Sequence, residues 1–194
     1  MNDSGADVPD APSAPDGPDA LPRKRAATVA EAKALAHPLR IRILRVCRDR
    51  DLTNKQIAEE LGTDPGTTLY HVRQLVDVGF LEPVVARPGP SGVQEKPYRN
   101  TGASWWLENP LGSLDADSRA APFRAFTQEF ERTGPESLVH WATFVVHLAD
   151  SDVAEMDSRI KAILDEYIAT NDQRAGQPAY AGMYALHRRD PESH

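Results

Sequence analysis

Between residues 28 and 101 the apolar positions follow first a helical and then an alternating period. Leu39, Ile43, Leu44 and Cys47 recur every three or four residues, with Arg40, Arg42, Arg45 and Arg48 filling the other face. This predicts an amphipathic helix from Pro38 to about Arg48. Pro38 suits its first position, where the missing N–H has no intrahelical acceptor to lose. A shorter helix is expected before it, ending at Ala36 and opened by Thr28 and Glu31, whose side chains can cap each other's amides. Thr53 and Gln56 repeat that arrangement. Ile57, Ala58 and Leu61 give the next helix its apolar face, and Gly62 supplies the left-handed residue that stops it. Asp64 and Pro65 then start a further helix as N-cap and first residue, with Thr68, Val72, Leu75 and Val76 as its buried side and Gly79 as its stop.

Two short helices joined by a tight Gly-containing turn form a helix-turn-helix. Beyond it the period shortens. Residues 80–85 read as a strand that Pro83 restricts to an edge or bulge. Residues 87–92, with Pro at 88 and 90 and Gly at 89 and 92, read as a loop tip, and residues 97–101 return as a second strand. A hairpin placed there is a wing. Farther on, Phe123, Phe126 and Phe130 recur at helical spacing. Val153, Met156, Ile160, Ile163, Leu164, Tyr167 and Ile168 mark the clearest amphipathic helix in the chain. Segments 143–148 and 179–186 read as strands, although Leu138, Trp141, Val145 and Leu148 also fit a helix over 137–148.

Composition narrows the class. The 194 residues include one cysteine, Cys47, so neither an internal disulfide nor a CxxC pair is possible. Residues 1–22 hold five prolines and few large apolar side chains, which predicts disorder. Arg23, Lys24 and Arg25 then form either a solvated charge run or an arm reaching DNA. No stretch approaches the roughly 20 apolar residues that span a bilayer. The first residues show no apolar signal-peptide core, so the expected compartment is the cytoplasm. The excess of Arg over Lys suggests a GC-rich bacterial genome. The net charge of -7 is uneven: -2 over residues 1–27, +2 over 28–100 and -7 over 101–194. DNA affinity depends on the face that meets phosphate rather than on the total, so the central segment remains compatible with it.

The run from Leu35 to Leu44 (Leu-Ala-His-Pro-Leu-Arg-Ile-Arg-Ile-Leu) resembles the opening of the arsenic-repressor-like (ArsR-like) winged-helix regulators. The segments Ile57–Gly62, Gly66–Leu75 and Gly79–Leu81 and the strand containing Tyr98 and Arg99 continue that resemblance, which covers roughly residues 30–101. It implies a homodimer that controls transcription from a near-palindromic operator on double-stranded DNA. Metal-sensing members carry a cysteine-bearing motif on a helix of this region. Here the only thiol lies on an apolar face and the histidines are scattered, which places the chain in a non-metal-sensing branch with no metal and no cofactor.

The expected fold class is α+β. A disordered tail (1–27) precedes a winged helix-turn-helix DNA-binding domain (28–104), followed by a smaller α+β or helical region (105–194) for dimerisation and, in aromatic cavities, a small-molecule effector. In the recognition helix, Thr67, Tyr70, Arg73 and Gln74 fall outward or at the margins. Arg73 suits guanine, and Gln74 suits a bidentate contact to adenine. Tyr70 reads either as a phosphate contact or as packing, and His71 as packing or base reading. Arg87, Lys96 and Arg99 flank the wing tip as phosphate or minor-groove contacts. The rival readings are an enzyme with an appended winged helix and a winged helix used only for protein contacts. The sequence shows neither a phosphate-binding Gly loop nor a GxSxG elbow, and the pairs Asp115/Asp117 and Asp150/Asp152 sit at probable helix starts, so no enzyme is expected.

Overall fold

The computed structural model of the protein describes residues 21–88 and 94–189. The expected tail up to residue 20 and the wing tip at 89–93 lie outside the described residues. In chain order the elements are β1 (Arg25–Ala26), α1 (Val29–Leu35), α2 (Pro38–Val46), β2 (Leu52–Thr53), α3 (Asn54–Leu61) and α4 (Pro65–Asp77). The wing follows as β3 (Leu81–Pro83), β4 (Arg87–Pro88), β5 (Gln94–Glu95) and β6 (Pro97–Asn100). A 3-10 turn at Ala103–Trp106 then leads to β7 (Leu107–Glu108), α5 (Ala116–Arg119), α6 (Ala121–Thr133) and α7 (Asp150–Ala169).

The helix ends form where the capping residues stand. The Thr28 hydroxyl accepts the Glu31 N–H at 3.2 Å, and the Glu31 carboxylate accepts the Thr28 N–H at 2.8 Å. Thr53 and Gln56 make the same reciprocal pair at the start of α3. The cap of α2 comes from His37, whose Nδ1 accepts the Leu39 N–H at 3.2 Å. This helix stops at Val46, two residues before the expected end, with Cys47 as its C-cap. Gly62 ends α3 at φ 64°, and Gly79 turns the chain after α4 at φ 73°.

One core joins these elements. Ile43, Cys47, Ile57, Val72, Leu75 and Phe80 are all fully buried. Phe80, expected to open the first strand, instead fills the core. Its N–H closes α4 on the Leu75 carbonyl at 2.9 Å, so pairing begins only at Leu81. The three-stranded sheet runs β2-β6-β3, all antiparallel, with Leu52 and Pro83 on either side of Tyr98. Arg87 and Pro88, read from sequence as loop, pair with Glu95 and Gln94 as a short second ribbon. Asn100 fastens the sheet to α2: its side-chain amide donates to the Leu44 carbonyl at 2.7 Å and its N–H to the Cys47 carbonyl at 3.0 Å.

The region beyond residue 104 begins as an extension of this core. Ala121 and Ala125 are fully buried, and their small side chains let α6 lie close against α2. Arg45 reaches Glu129 across that contact at 2.8 Å. The strand β1 pairs in parallel with β7, Arg25 opposite Leu107, so both expected boundaries, at 28 and at 104, are spanned by hydrogen bonds. Lys24 and Arg25 are accordingly built into the fold. Arg25 binds the buried Glu31, and Lys24 lies over the Trp105 ring and bonds Asp165 of α7 at 2.9 Å. The Trp105 indole N–H donates to the same carboxylate at 2.7 Å.

The amphipathic helix expected from Val153 to Ile168 is α7. The strands expected at 143–148 and 179–186 are not formed, and neither is the alternative helix over 137–148. Residues 138–149 and 178–189 run without helix, turn or bend and without strand pairing. A strand exists only against a partner backbone. Among the described residues no backbone hydrogen bond involves 139–148 or 178–186.

Gly62 meets no heavy atom within 4 Å of an added Cβ, so only its left-handed backbone resists substitution. Gly62→Ala should cost about 1 kcal/mol, measured as a lower midpoint with unchanged slope in urea denaturation.

Candidate nucleic-acid interface

The phase of α4 follows from what it buries. Thr68, His71, Val72 and Leu75 face the core, which leaves Thr67, Tyr70, Arg73 and Asp77 as one exposed stripe, with Gln74 at its margin. The N-terminus of α4 is fixed by a polar cluster in the turn. The hydroxyls of Thr63 and Thr68 share a hydrogen bond of 2.8 Å, and Asp64 caps the Thr67 N–H at 2.9 Å. The Asn54 side-chain amide donates to the Pro65 carbonyl at 2.9 Å, tying the first turn of α3 to the first turn of α4.

Within the stripe the candidates differ in freedom. The Thr67 side chain is exposed. Tyr70 is 59% exposed and packs edge-on against His71 at 5.2 Å. Arg73 is exposed and makes neither a hydrogen bond nor an ion pair among the described residues. Gln74 is engaged: its Oε1 accepts from Arg40 Nη1 at 2.6 Å. A bidentate contact to adenine, which needs both ends of the amide, therefore requires competition with Arg40.

His71 packs. It is 7% exposed, and its ring centroid lies 4.5 Å from that of His37. Burial first, then the neighbouring His37 and Arg40, push its pKa down to about 4. His37 is lowered too, by burial and by Arg40. Both rings are therefore neutral near pH 7, and a neutral ring can accept from the Arg40 guanidinium, 3.4 Å from His71 Nδ1.

Arg40 was missed among the sequence candidates. Its guanidinium donates to the Lys33 and Ala34 carbonyls at the end of α1 as well as to Gln74 on α4, joining three helices at one point. The available signal is a cation in the first turn of α2, where the helix dipole favours an anion and no acid stands. A residue placed against the dipole implies specific acceptors nearby.

On the wing, Lys96 is exposed between β5 and β6 without a partner among the described residues. Arg87 stands in β4 in register with Glu95, and its side chain lies outside the described residues. Arg99 is held by Asp51, its Nε and Nη2 each donating to the carboxylate at 2.7 Å, and it stands opposite Glu82 in the sheet. Two acids thus compete with phosphate for Arg99, while Lys96 meets no such competition. The structure brings Thr67, Tyr70, Arg73 and Gln74 onto one helix face and places Lys96 and Arg99 on the wing.

Residues 35–84 match the family described as a helix-turn-helix domain. The match takes in α2, the helix-turn-helix proper (α3 and α4) and the first wing strand, and leaves the C-terminal half outside. No curated protein matches the chain. A helix-turn-helix with a hairpin behind it is a DNA-binding architecture whose second helix enters the major groove. In this helix-turn-helix that second helix is α4.

His71 titrates near 6.5 when unfolded and near 4 when folded. Between these values the unfolded chain binds more protons, so its contribution to stability is complete above pH 6.5 and is lost as pH falls. The slope is at most about 1.4 kcal/mol per pH unit. His71→Gln should remove most of that slope in denaturation curves between pH 7 and 5, leaving a residue from His37. Glu31, held at about 2 by Arg25, affects only the range below its unfolded value of 4.5.

Proposed function

We propose that the protein is a sequence-specific transcriptional regulator of the ArsR-like, non-metal-sensing kind, acting as a homodimer on a near-palindromic operator. The observation that carries the reading is the stripe Thr67–Tyr70–Arg73, exposed on a helix whose opposite face is locked into the core. Arg73, without a hydrogen bond or ion pair among the described residues, is the base reader of choice, because its planar fork matches the two acceptors of guanine. Thr67 offers a hydroxyl or methyl to the neighbouring base, and Tyr70 a hydroxyl to a phosphate. Lys96 anchors the backbone from the wing.

The buried thiol supports the non-metal branch. Cys47 is fully buried and its pKa is pushed up to about 12 by that burial, whereas a metal ligand must be a thiolate. The acidic pairs support a binding role over a catalytic one. Asp115 caps α5 at Ser118, Asp117 pairs with Arg124, and Asp152 accepts the Ala149 N–H at the start of α7. Among the described residues no helix is long and apolar enough to cross a membrane.

Selecting genomic fragments with the purified protein identifies an operator, and two variants then test the reading. Arg73→Ala should cost about 1–3 kcal/mol on that operator and relax preference at one base pair. Lys96→Ala should weaken all sequences alike and lower the salt slope by about one unit. If both variants weaken specific and nonspecific DNA equally, α4 does not read bases through this face. If neither changes binding, the regulator reading fails.

A further inference from the structure

The segments 138–148 and 178–187 contain no Asp, Glu, Lys or Arg, in a chain where 26% of residues are charged. They also carry ten of the large apolar side chains that stand exposed, among them Trp141 at 74%, Val145 at 64% and Tyr180 at 76%. Their backbones run without turn or bend, and among the described residues no backbone hydrogen bond involves 139–148 or 178–186. Exposed strand edges are ordinarily protected by charge or proline, and residues 139–148 carry neither. The chemistry of both segments is that of sheet interior.

Between them lies α7, whose apolar positions 153, 156, 160, 163 and 167 alternate by three and four residues and are only partly covered. Met156, Ile160 and Ile163 line an open groove along it, with Asp152, Glu155 and Arg159 at its sides. A 20-residue helix spans about 30 Å and a ten-residue strand about 33 Å. The lengths therefore suit a strand-helix-strand unit whose helix covers the sheet. What this unit lacks is the neighbouring strand.

We propose that the missing strands come from a second copy of this chain, so that segments 138–148 and 178–187 of two copies form one intersubunit sheet covered by the two α7 helices. This rests on the homodimer reading above and specifies its surface. The ten exposed side chains offer on the order of 1,000 Å², against the roughly 800 Å² per partner of a stable interface. A second copy is favoured because the surface is uncharged. Residues 101–194 carry a net charge of -7, and within them these two segments are where two copies can meet without opposed like charges. A two-fold axis also makes any segment that pairs with its own mate antiparallel, which is the better-bonded arrangement.

The test is amide hydrogen exchange on the full-length protein, read by mass spectrometry across a concentration series spanning the dimer dissociation found by sedimentation. Residues 139–148 and 179–186 should be protected at least tenfold more in the dimer than in the monomer. Val145→Lys should shift the protein to monomer while α4 keeps its protection, and Arg73→Ala should leave the dimer intact. A dimer in which these amides exchange freely overturns the intersubunit sheet and leaves the homodimer reading standing. Protection that persists in the monomer overturns it by showing the two segments paired within one chain. A protein that stays monomeric and still binds its operator overturns both.

Discussion

The burial of one face of α4 is the constraint from which the rest of the molecule follows. Val72 and Leu75 are fully buried against Ile43, Ile57 and Phe80, and a helix rotated by one residue would expose them. Fully burying side chains of this size is worth about 1.5–3 kcal/mol each, more than any contact on the solvent side can offset. Packing therefore determines which residues face outward, and Thr67, Tyr70 and Arg73 are presented to solvent by a force that has nothing to do with DNA. The turn hydroxyls, Asn54 and Arg40 then fix the position of that face along and about its axis.

Most of the N-terminal half is legible from residues because its signals are local. Capping boxes at Thr28 and Thr53, Asp64 with Pro65, and the glycine at 62 each act within four residues of themselves, so sequence spacing and structure coincide. The failures share one cause, which is dependence on residues distant in the chain. Phe80 continues a strand pattern yet fills the core because the end of α4 needs a plug there. Asn54 and Asp51 have ordinary sequence surroundings, and their partners stand 11 and 48 residues away. Pairing of β1 with β7 joins residues 82 apart, beyond any periodicity. The segments around 143 and 180 carry the composition of strands without the partner that composition presupposes.

Among the candidate residues, the sequence places Thr67, Tyr70 and Arg73 on the exposed stripe of α4, but it does not distinguish Arg73 from Gln74, or Lys96 from Arg99, in availability. The structure separates them. Among the described residues Arg73 and Lys96 make no hydrogen bond or ion pair, whereas Gln74 and Arg99 are bonded to Arg40 and Asp51. The Arg99–Asp51 pair is exposed and screened by solvent, so the engagement is an exchange rather than a block. Gln74 and Arg99 can take a new partner only by giving up the present one, which lowers the net gain of any such contact.

The Asp165 carboxylate has a wider consequence. It holds both the Lys24 ammonium and the Trp105 indole, with its side chain only 17% exposed, so salt screens it little. Through this one group the long C-terminal helix grips the segment that enters α1 and the turn that leaves the wing. A tilt of α7 therefore pulls on the entry to α1 and on the exit of the wing together. Without that carboxylate the two segments would lose their shared tie to the helix, and either could shift without the other.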